Sequence, residues 1–338
     1  MRQAILYGAG DLRLEDRELD AHRLQAEHIY VETEFSAFST GTDLGNYLGD
    51  STYVPGASDY PRPVGYSNVG RVVRVGASVE KWQVGQRVFS NKPHLSAYIG
   101  HQDELLLEIR ETVASDQASL AYLTHLGIAA LRQAGYQAGE NVVVVGLGVI
   151  GLCTVAFARA MGARVVSVAN SPIRSEMAAC LGAHGAFHSS DAALTEKLTH
   201  LLGEAGAALI VLTANPWNAY RLSMDIAACG ARICLLGFPG RGEALPDFNP
   251  LDPRWIYAKQ LTLLGSGYAP RAECPPRDLR FNMQRNLQYI LNLMASKDLC
   301  LAPLITHRLP ADRMKESYEL ARQHSKELIA AVFDWRQC

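Results

Sequence analysis

Two rhythms of apolar and polar residues divide this chain. Up to about residue 110, short stretches alternate the two classes, as in Ile29-Tyr30-Val31-Glu32-Thr33, and glycine or proline interrupts them. That period of two predicts a β-rich region. Gly70-Arg71-Val72-Val73-Arg74-Val75-Gly76 reads as a strand between glycines, and Gly85-Gln86-Arg87-Val88-Phe89 as a turn entering another. From Leu120 the spacing becomes helical, over 120–134. Short apolar runs and helix-length segments then alternate over 142–145, 152–161, 165–168, 176–181, 194–202, 209–212, 220–228 and 232–236, with 261–265 as a last strand. This strand–helix rhythm predicts a parallel sheet covered by helices. In the tail, Met283, Leu287, Ile290, Leu291 and Met294 form one helical stripe. Residues 303–309 and 328–333 read as strands on either side of a helix over 314–323. The chain shows no internal repeat and no low-complexity linker.

The run Val142–Val145 ends at Gly146-Leu147-Gly148-Val149-Ile150-Gly151, and a helix-compatible segment follows. A glycine pattern between a strand and a helix has a physical use. The chain must turn sharply, bring its backbone against a pyrophosphate, and pack a helix closely on the sheet. The helix N-terminus then offers free N–H groups to phosphate oxygens. Gly146, Gly148, Val149, Ile150 and Gly151 are therefore expected to bind a dinucleotide. The next strand ends at Ala169-Asn170-Ser171, where an NAD-preferring fold usually carries Asp or Glu about 20 residues after the glycines. No acid stands there. An acid would repel a 2′-phosphate, whereas small polar groups and Arg174 can accept one. The expected cofactor is NADP(H).

Composition narrows the class. A chain of 338 residues is long enough for two domains with separate cores. Its 48% hydrophobic and 20% charged residues are those of a globular protein. A net charge of −2 supplies no field to recruit nucleic acid or an anionic membrane. No run of 18 apolar residues occurs, and the first apolar run breaks at Gly8, unlike a signal peptide. These features lead to the expectation of a cytoplasmic protein. All seven cysteines lie after residue 150, in odd number and without a C-x-x-C pair. That pattern argues against a structural zinc and against a disulfide framework. Most are expected as small buried side chains, with Cys338 a terminal, exposed thiol.

Several segments carry a resemblance. Ala37-Phe38-Ser39-Thr40-Gly41-Thr42-Asp43, Pro63-Val64-Gly65-Tyr66-Ser67-Asn68-Val69-Gly70, Gly85-Gln86-Arg87-Val88, and the tail with Pro303-Leu304-Ile305-Thr306-His307 and Ala321-Arg322 resemble the medium-chain dehydrogenase/reductase superfamily. The resemblance covers essentially the whole chain. It implies an α/β fold: a Rossmann doubly wound parallel sheet over 119–268, plus a β-rich GroES-like catalytic domain from 1–118 and 269–338. It also implies a homodimer and a small-molecule substrate. Thr40 stands where the zinc enzymes have cysteine, Tyr66-Ser67 where they have His-Glu, and Tyr122 best matches a third ligand. The four-cysteine lobe is missing, since the chain runs from Phe89 to Ser96-Ala97-Tyr98 without it. Thr and neutral Tyr are poor zinc ligands. The resemblance is therefore to a zinc-independent branch, and bacteriochlorophyllide dehydrogenase is similar in these segments.

Without a metal, another group must stabilise the charge that develops on a carbonyl oxygen during hydride transfer. Tyr66 is the first candidate, because it occupies a former ligand position; the alternative is that it only fills the vacated space. Thr40, Ser39 and Tyr122 are further hydroxyl candidates. His125 has a suitable pKa for a general acid, although a helix-packing role is the simpler reading. Asp43 is read as pinning the turn after Gly41, and His94 as a surface histidine. By the resemblance, Thr213, Ala214, Leu236, Gly237, Gly265 and Ser266 flank the nicotinamide, together with Asn215, Phe238 and Gly267. Arg271, Arg277 and Arg280 could meet an anionic substrate or simply be solvated. The expected activity is that of an NADP(H)-dependent alcohol dehydrogenase or ketoreductase in a biosynthetic pathway. Zinc-free reduction of a C=C bond and non-catalytic NADPH sensing are the alternatives.

Overall fold

Asn141–Val145 is the strand around which the second half of the chain is built. All five of its residues are buried. In a parallel sheet covered on both faces there is no wet side to impose alternation, so the strand is a continuous apolar run. The computed structural model describes residues 1–49, 59–266 and 282–337. It divides into two units, Met1–Tyr122 with Leu287–Cys338, and Leu123–Asn286. The expected break at 268–269, together with Gly267, Arg271, Cys274, Arg277, Arg280 and Cys338, lies outside the described residues.

The unit Leu123–Asn286 holds a six-stranded sheet. Its spatial order is Gly185–His188, Arg164–Ala169, Asn141–Val145, Ala207–Leu212, Ala227–Leu235 and Thr262–Gly265, every pair parallel. Chain order reverses direction on either side of Asn141–Val145, which makes that strand's C-terminal end the switch point of a doubly wound sheet. Helices cover it: Val149–Ala160 is almost wholly buried, and Leu194–Leu202 turns Leu194, Leu198 and Leu202 inward. The strand Gly185–His188 was not anticipated. It is a four-residue edge strand with no fully buried position, too short for a pattern to show.

The unit Met1–Tyr122 with Leu287–Cys338 holds the β-rich part. The spatial order of its main sheet is Ile305–Pro310, Ala330–Asp334, His28–Phe38, Asn68–Val75, Arg87–Ser90 and Leu106–Glu108, and Ala97–His101 also pairs with His28–Phe38. The C-terminal strand enters in register, Phe333 opposite Ser36 and Ala331 opposite Phe38. The tail thereby packs Phe333 and Trp335 beside Phe38, Tyr47 and Tyr318. A short helix, Thr42–Tyr47, follows the Ser39–Gly41 segment. Its six residues, with Gly45 among them, are too few to show a helical stripe.

Two sequence expectations need correction. Of the five described cysteines, only Cys153 and Cys234 are buried; Cys180, Cys229 and Cys300 are exposed. Cys180 closes a helix that buries only Ala178, so its face, not its chemistry, decides its exposure. His94 is not on the surface but fully buried. The returning C-terminal strand covers it, with the Phe333 ring edge-on at 5.0 Å. No helix among the described residues is long and apolar enough to cross a membrane.

Candidate active site

The three glycines after Val145 do three different things. Gly146 has φ +96°, a left-handed backbone that side chains rarely adopt, and a Cβ there would lie 2.6 Å from Ala214 N. Gly151 lies on the helix Val149–Ala160, and a Cβ there would lie 2.0 Å from Gly146 O. That helix can approach the turn only because residue 151 has no side chain. Gly148 is different: a Cβ there would meet nothing within 4 Å. The protein's own packing leaves that space open, so the backbone there is accessible to a ligand such as the pyrophosphate expected from the sequence. Gly148 is also the N-cap, no side chain caps the helix, and its first turn holds no acid. The N–H groups there are available to an anion. Thr213 Oγ1 donates to Gly146 O at 2.7 Å and stiffens the turn.

The other expected cofactor residues gather at the same sheet edge. Thr213 N donates to Val145 O at 2.9 Å, and Gly237 N to Leu212 O at 2.8 Å. Ser266 N donates to Leu235 O at 3.1 Å. Ala214, Leu236 and Gly265 belong to these same strand ends. A Cβ on Gly237 would meet Thr213 O and Ala214 O, so the turns stack on bare backbone. Asn215 Oδ1 accepts from Phe238 N at 2.9 Å and braces the adjoining loop. At the end of Arg164–Ala169, Asn170 is exposed, and Ser171 stands at the N-cap position of the helix Pro172–Cys180 without a side-chain capping bond; the first turn of that helix holds no acid. The Ser171 hydroxyl is buried without a hydrogen-bond partner. Arg174 is half-buried, and desolvation lowers its guanidinium pKa. An unpartnered hydroxyl, a guanidinium and a helix N-terminus are a donor set for a phosphate.

In the first unit, the structure brings together most of the expected hydroxyls. The Tyr66 and Tyr122 rings meet edge to face, 4.9 Å between centroids. Burial raises the Tyr66 phenol pKa most, the Asp43 carboxylate adds to it, and the Ser39 and Thr42 hydroxyls act in the opposite sense. The phenol therefore keeps its proton at neutral pH and is available as a hydrogen-bond and proton donor. Asp43 does pin the turn: Oδ2 accepts from Ser39 N at 2.9 Å. It also reaches the next segment, since Oδ1 accepts from Gly65 N at 3.1 Å. After Tyr66, Ser67 Oγ donates to Ser119 O at 2.5 Å. Thr40 is half-buried, while Ser39 is fully buried. Tyr318, which no motif or spacing singles out, is fully buried, and burial followed by Asp43 and Tyr66 raises its pKa. Its hydroxyl has no hydrogen-bond partner. It belongs to the C-terminal helix Met314–Arg322, far from the motif segments in sequence.

His125 does not suit a general acid. It lies on the helix Ala121–Gln133 with no exposed surface, and desolvation, then Arg132, lowers its pKa to about 4. At pH 7 it is a neutral packing group. Because its folded pKa lies below the unfolded value of about 6.5, the unfolded chain binds more protons between those values. Stability is complete above pH about 6.5 and falls as pH drops toward 4, by about 3 kcal/mol for this one group. Urea unfolding at pH 7.5 and 4.5 should show a smaller acid loss in His125→Leu than in the parent. Equal losses would place the acid sensitivity elsewhere.

Comparison with known proteins agrees with the two-part fold. An alcohol dehydrogenase GroES-like domain family model matches residues 25–189, and a zinc-binding dehydrogenase model matches residues 149–281. Sorbitol dehydrogenase of Bacillus subtilis (strain 168) is 20% identical over 98% of this chain and 96% of its own length. L-threonine 3-dehydrogenase of Anaeromyxobacter dehalogenans (strain 2CP-C) is 25% identical over 87% of this chain and 88% of its own. Among solved structures, a putative zinc-binding dehydrogenase from Sinorhizobium meliloti 1021 bound to NADP aligns with a TM-score of 0.80 at 18% identity, covering 98% of both chains.

Proposed function

The chain belongs to the medium-chain dehydrogenase/reductase superfamily and is an oxidoreductase of that family, and from that premise we propose that it is an NADP(H)-dependent, zinc-independent alcohol dehydrogenase or ketoreductase acting on a small molecule. The open space at Gly148 beside an uncapped helix N-terminus carries the cofactor part of this reading. Ser171 and Arg174, with no acid at the end of the second strand, favour the 2′-phosphate form. The Sinorhizobium meliloti neighbour bound to NADP supports it.

The zinc-independent part rests on donor chemistry. Thr40, Tyr66 and Tyr122 stand at the positions where the resemblance puts ligands, and none is a thiolate, imidazole or carboxylate. Asp43 and His94 are near, but Asp43 is taken up by two backbone N–H groups. These residues do not fit zinc.

The bound cofactor supplies hydride from nicotinamide C4. The chain's own part is to hold the carbonyl and deliver a proton. Tyr66 Oη–H hydrogen-bonds the carbonyl oxygen, stabilises the charge that builds there, and passes its proton to the alkoxide. A donor of this kind contributes ~2.7–4 kcal/mol to the transition state.

The test is NADPH consumption by the purified protein against matched ketones and enones, with a chelator present. Turnover of ketones that survives chelation and prefers NADPH over NADH supports the proposal. Selective turnover of enones, with deuteride found at the β-carbon, would replace it with C=C reduction. Cofactor binding without turnover of either would leave a sensing role.

A further inference from the structure

His94 plays no part in the reaction just described, yet its surroundings are built around it. Its backbone N–H donates to Val64 O at 2.8 Å, and its carbonyl accepts from Ala4 N at 2.9 Å. Its ring lies where a Cβ on Gly65 would be, 2.6 Å away, and Gly65 has φ +88°. Residue 65 must therefore be glycine for the turn to lie on the imidazole. On one side of the ring, Nδ1 is 2.8 Å from Ser36 Oγ. Ser36 Oγ in turn accepts from Trp335 Nε1 at 2.8 Å. On the other side, Nε2 faces Asp43 Oδ2 at 3.6 Å, too long for a hydrogen bond. Nε2 has no hydrogen-bond partner, and both residues are buried.

The tautomer follows from this chain. A lone pair on Nε2 aimed at a buried carboxylate would be repelled, whereas an Nε2–H is attracted. Nδ1 is then the acceptor, and the single Ser36 proton points to it. Trp335, a donor only, fills a lone pair of the same oxygen. The order of donation is Trp335 to Ser36 to His94, with the Nε2–H end directed at Asp43.

We infer that His94 is a positioning residue: through its ring against Gly65 and its Nε2–H toward Asp43, it holds the Gly65–Tyr66 turn and aims the Tyr66 hydroxyl. The inference rests on the reading of Tyr66 as the proton donor. Asp43 is the joint, since its two oxygens take Ser39 N and Gly65 N and so tie together the two segments that carry the hydroxyls. The imidazole keeps this carboxylate from turning away. The local segment 91–98 carries no sign of the role, because the partners of His94 come from residues 36, 43, 65 and 335.

The experiment places 3-fluorotyrosine at position 66 and follows its fluorine NMR resonance in the full chain, which needs no substrate. His94→Phe keeps the ring and removes both nitrogens. It is expected to shift or broaden the resonance, and His94→Gln, which can return an N–H toward Asp43, is expected to restore most of it. Ser36→Ala, a smaller change that removes only the hydroxyl, is expected to move the signal in the same direction as His94→Phe. On a ketone that the enzyme turns over, His94→Phe should lower kcat roughly 10- to 100-fold, as misplacement of a reacting group does. KM for NADPH should stay unchanged, and no further loss should appear when Tyr66→Phe is already present. A resonance that is the same in folded His94→Phe and Ser36→Ala overturns the inference. A Tyr66→Phe enzyme with full kcat instead removes the donor reading and leaves the fluorine result standing.

Discussion

Gly148→Ala is expected to fold normally and to lose NADPH affinity by ~10²-fold, while Gly151→Ala is expected to damage the fold itself. The two substitutions add the same methyl group three residues apart. At Gly148 it enters open space, and the only internal cost is a less favourable helix cap, about 1 kcal/mol or less. The methyl would instead occupy the surface against which the pyrophosphate must lie. At Gly151 it would lie 2.0 Å from Gly146 O, a backbone atom with no freedom to rotate away. The helix must then lift from the sheet, at about 3 kcal/mol or more, as for other overpacked interiors. Thermal unfolding and NADPH titration of both variants separate the cases. If Gly148→Ala binds NADPH as the parent does, the glycine cradle is not the cofactor site.

Tyr66→Phe is expected to lower kcat by ~10²-fold, equivalent to ~2.7 kcal/mol of transition-state stabilisation, with little change in cofactor affinity. The substitution keeps the ring, and so the edge contact with Tyr122, and removes only the hydroxyl. Burial and the Asp43 charge both raise the phenol pKa, so ionisation of Tyr66 should not limit the rate between about pH 6 and 9. Steady-state kinetics with deuterated NADPH, to show that hydride transfer is being measured, checks both statements. An unchanged kcat under those conditions would leave Tyr66 as a group that merely fills the space.

The parallel sheet and its glycine turn were legible because their pattern is local. Strand, glycine turn and helix are contiguous, so Val142–Val145 and Gly146 to Gly151 announce the strand–turn–helix unit in a single stretch. Gly146 and Gly151 meet two separate steric demands, and Gly148 faces open space. Thr213, Gly237 and Ser266 were placed by the same logic, since strand ends of a parallel sheet share one edge. The residue types at Thr40 and Tyr66, which are poor zinc ligands, could also be read, because they depend on identity alone.

Burial could not be read in the same way. His94 and Tyr318 sit in stretches whose local pattern predicts nothing special, and each is enclosed by residues distant in the chain. A histidine two residues from Lys92 reads as a surface group until the C-terminal strand pairs with His28–Phe38 and brings Phe333 and Trp335 over it. His125 shows the converse: the sequence offered an imidazole of ordinary pKa, and desolvation, then Arg132, leave it without a proton to give at neutral pH. Amino-acid order by itself determined the strand–helix rhythm, the glycine turn and the side-chain types at Thr40, Tyr66 and Tyr122, because these depend on neighbours in the chain or on residue identity. Only the tertiary structure decided which polar groups are dehydrated and what faces them. Electrostatic energy depends on distance through space, and residues 36, 43, 65, 94 and 335 become neighbours only when the sheet closes.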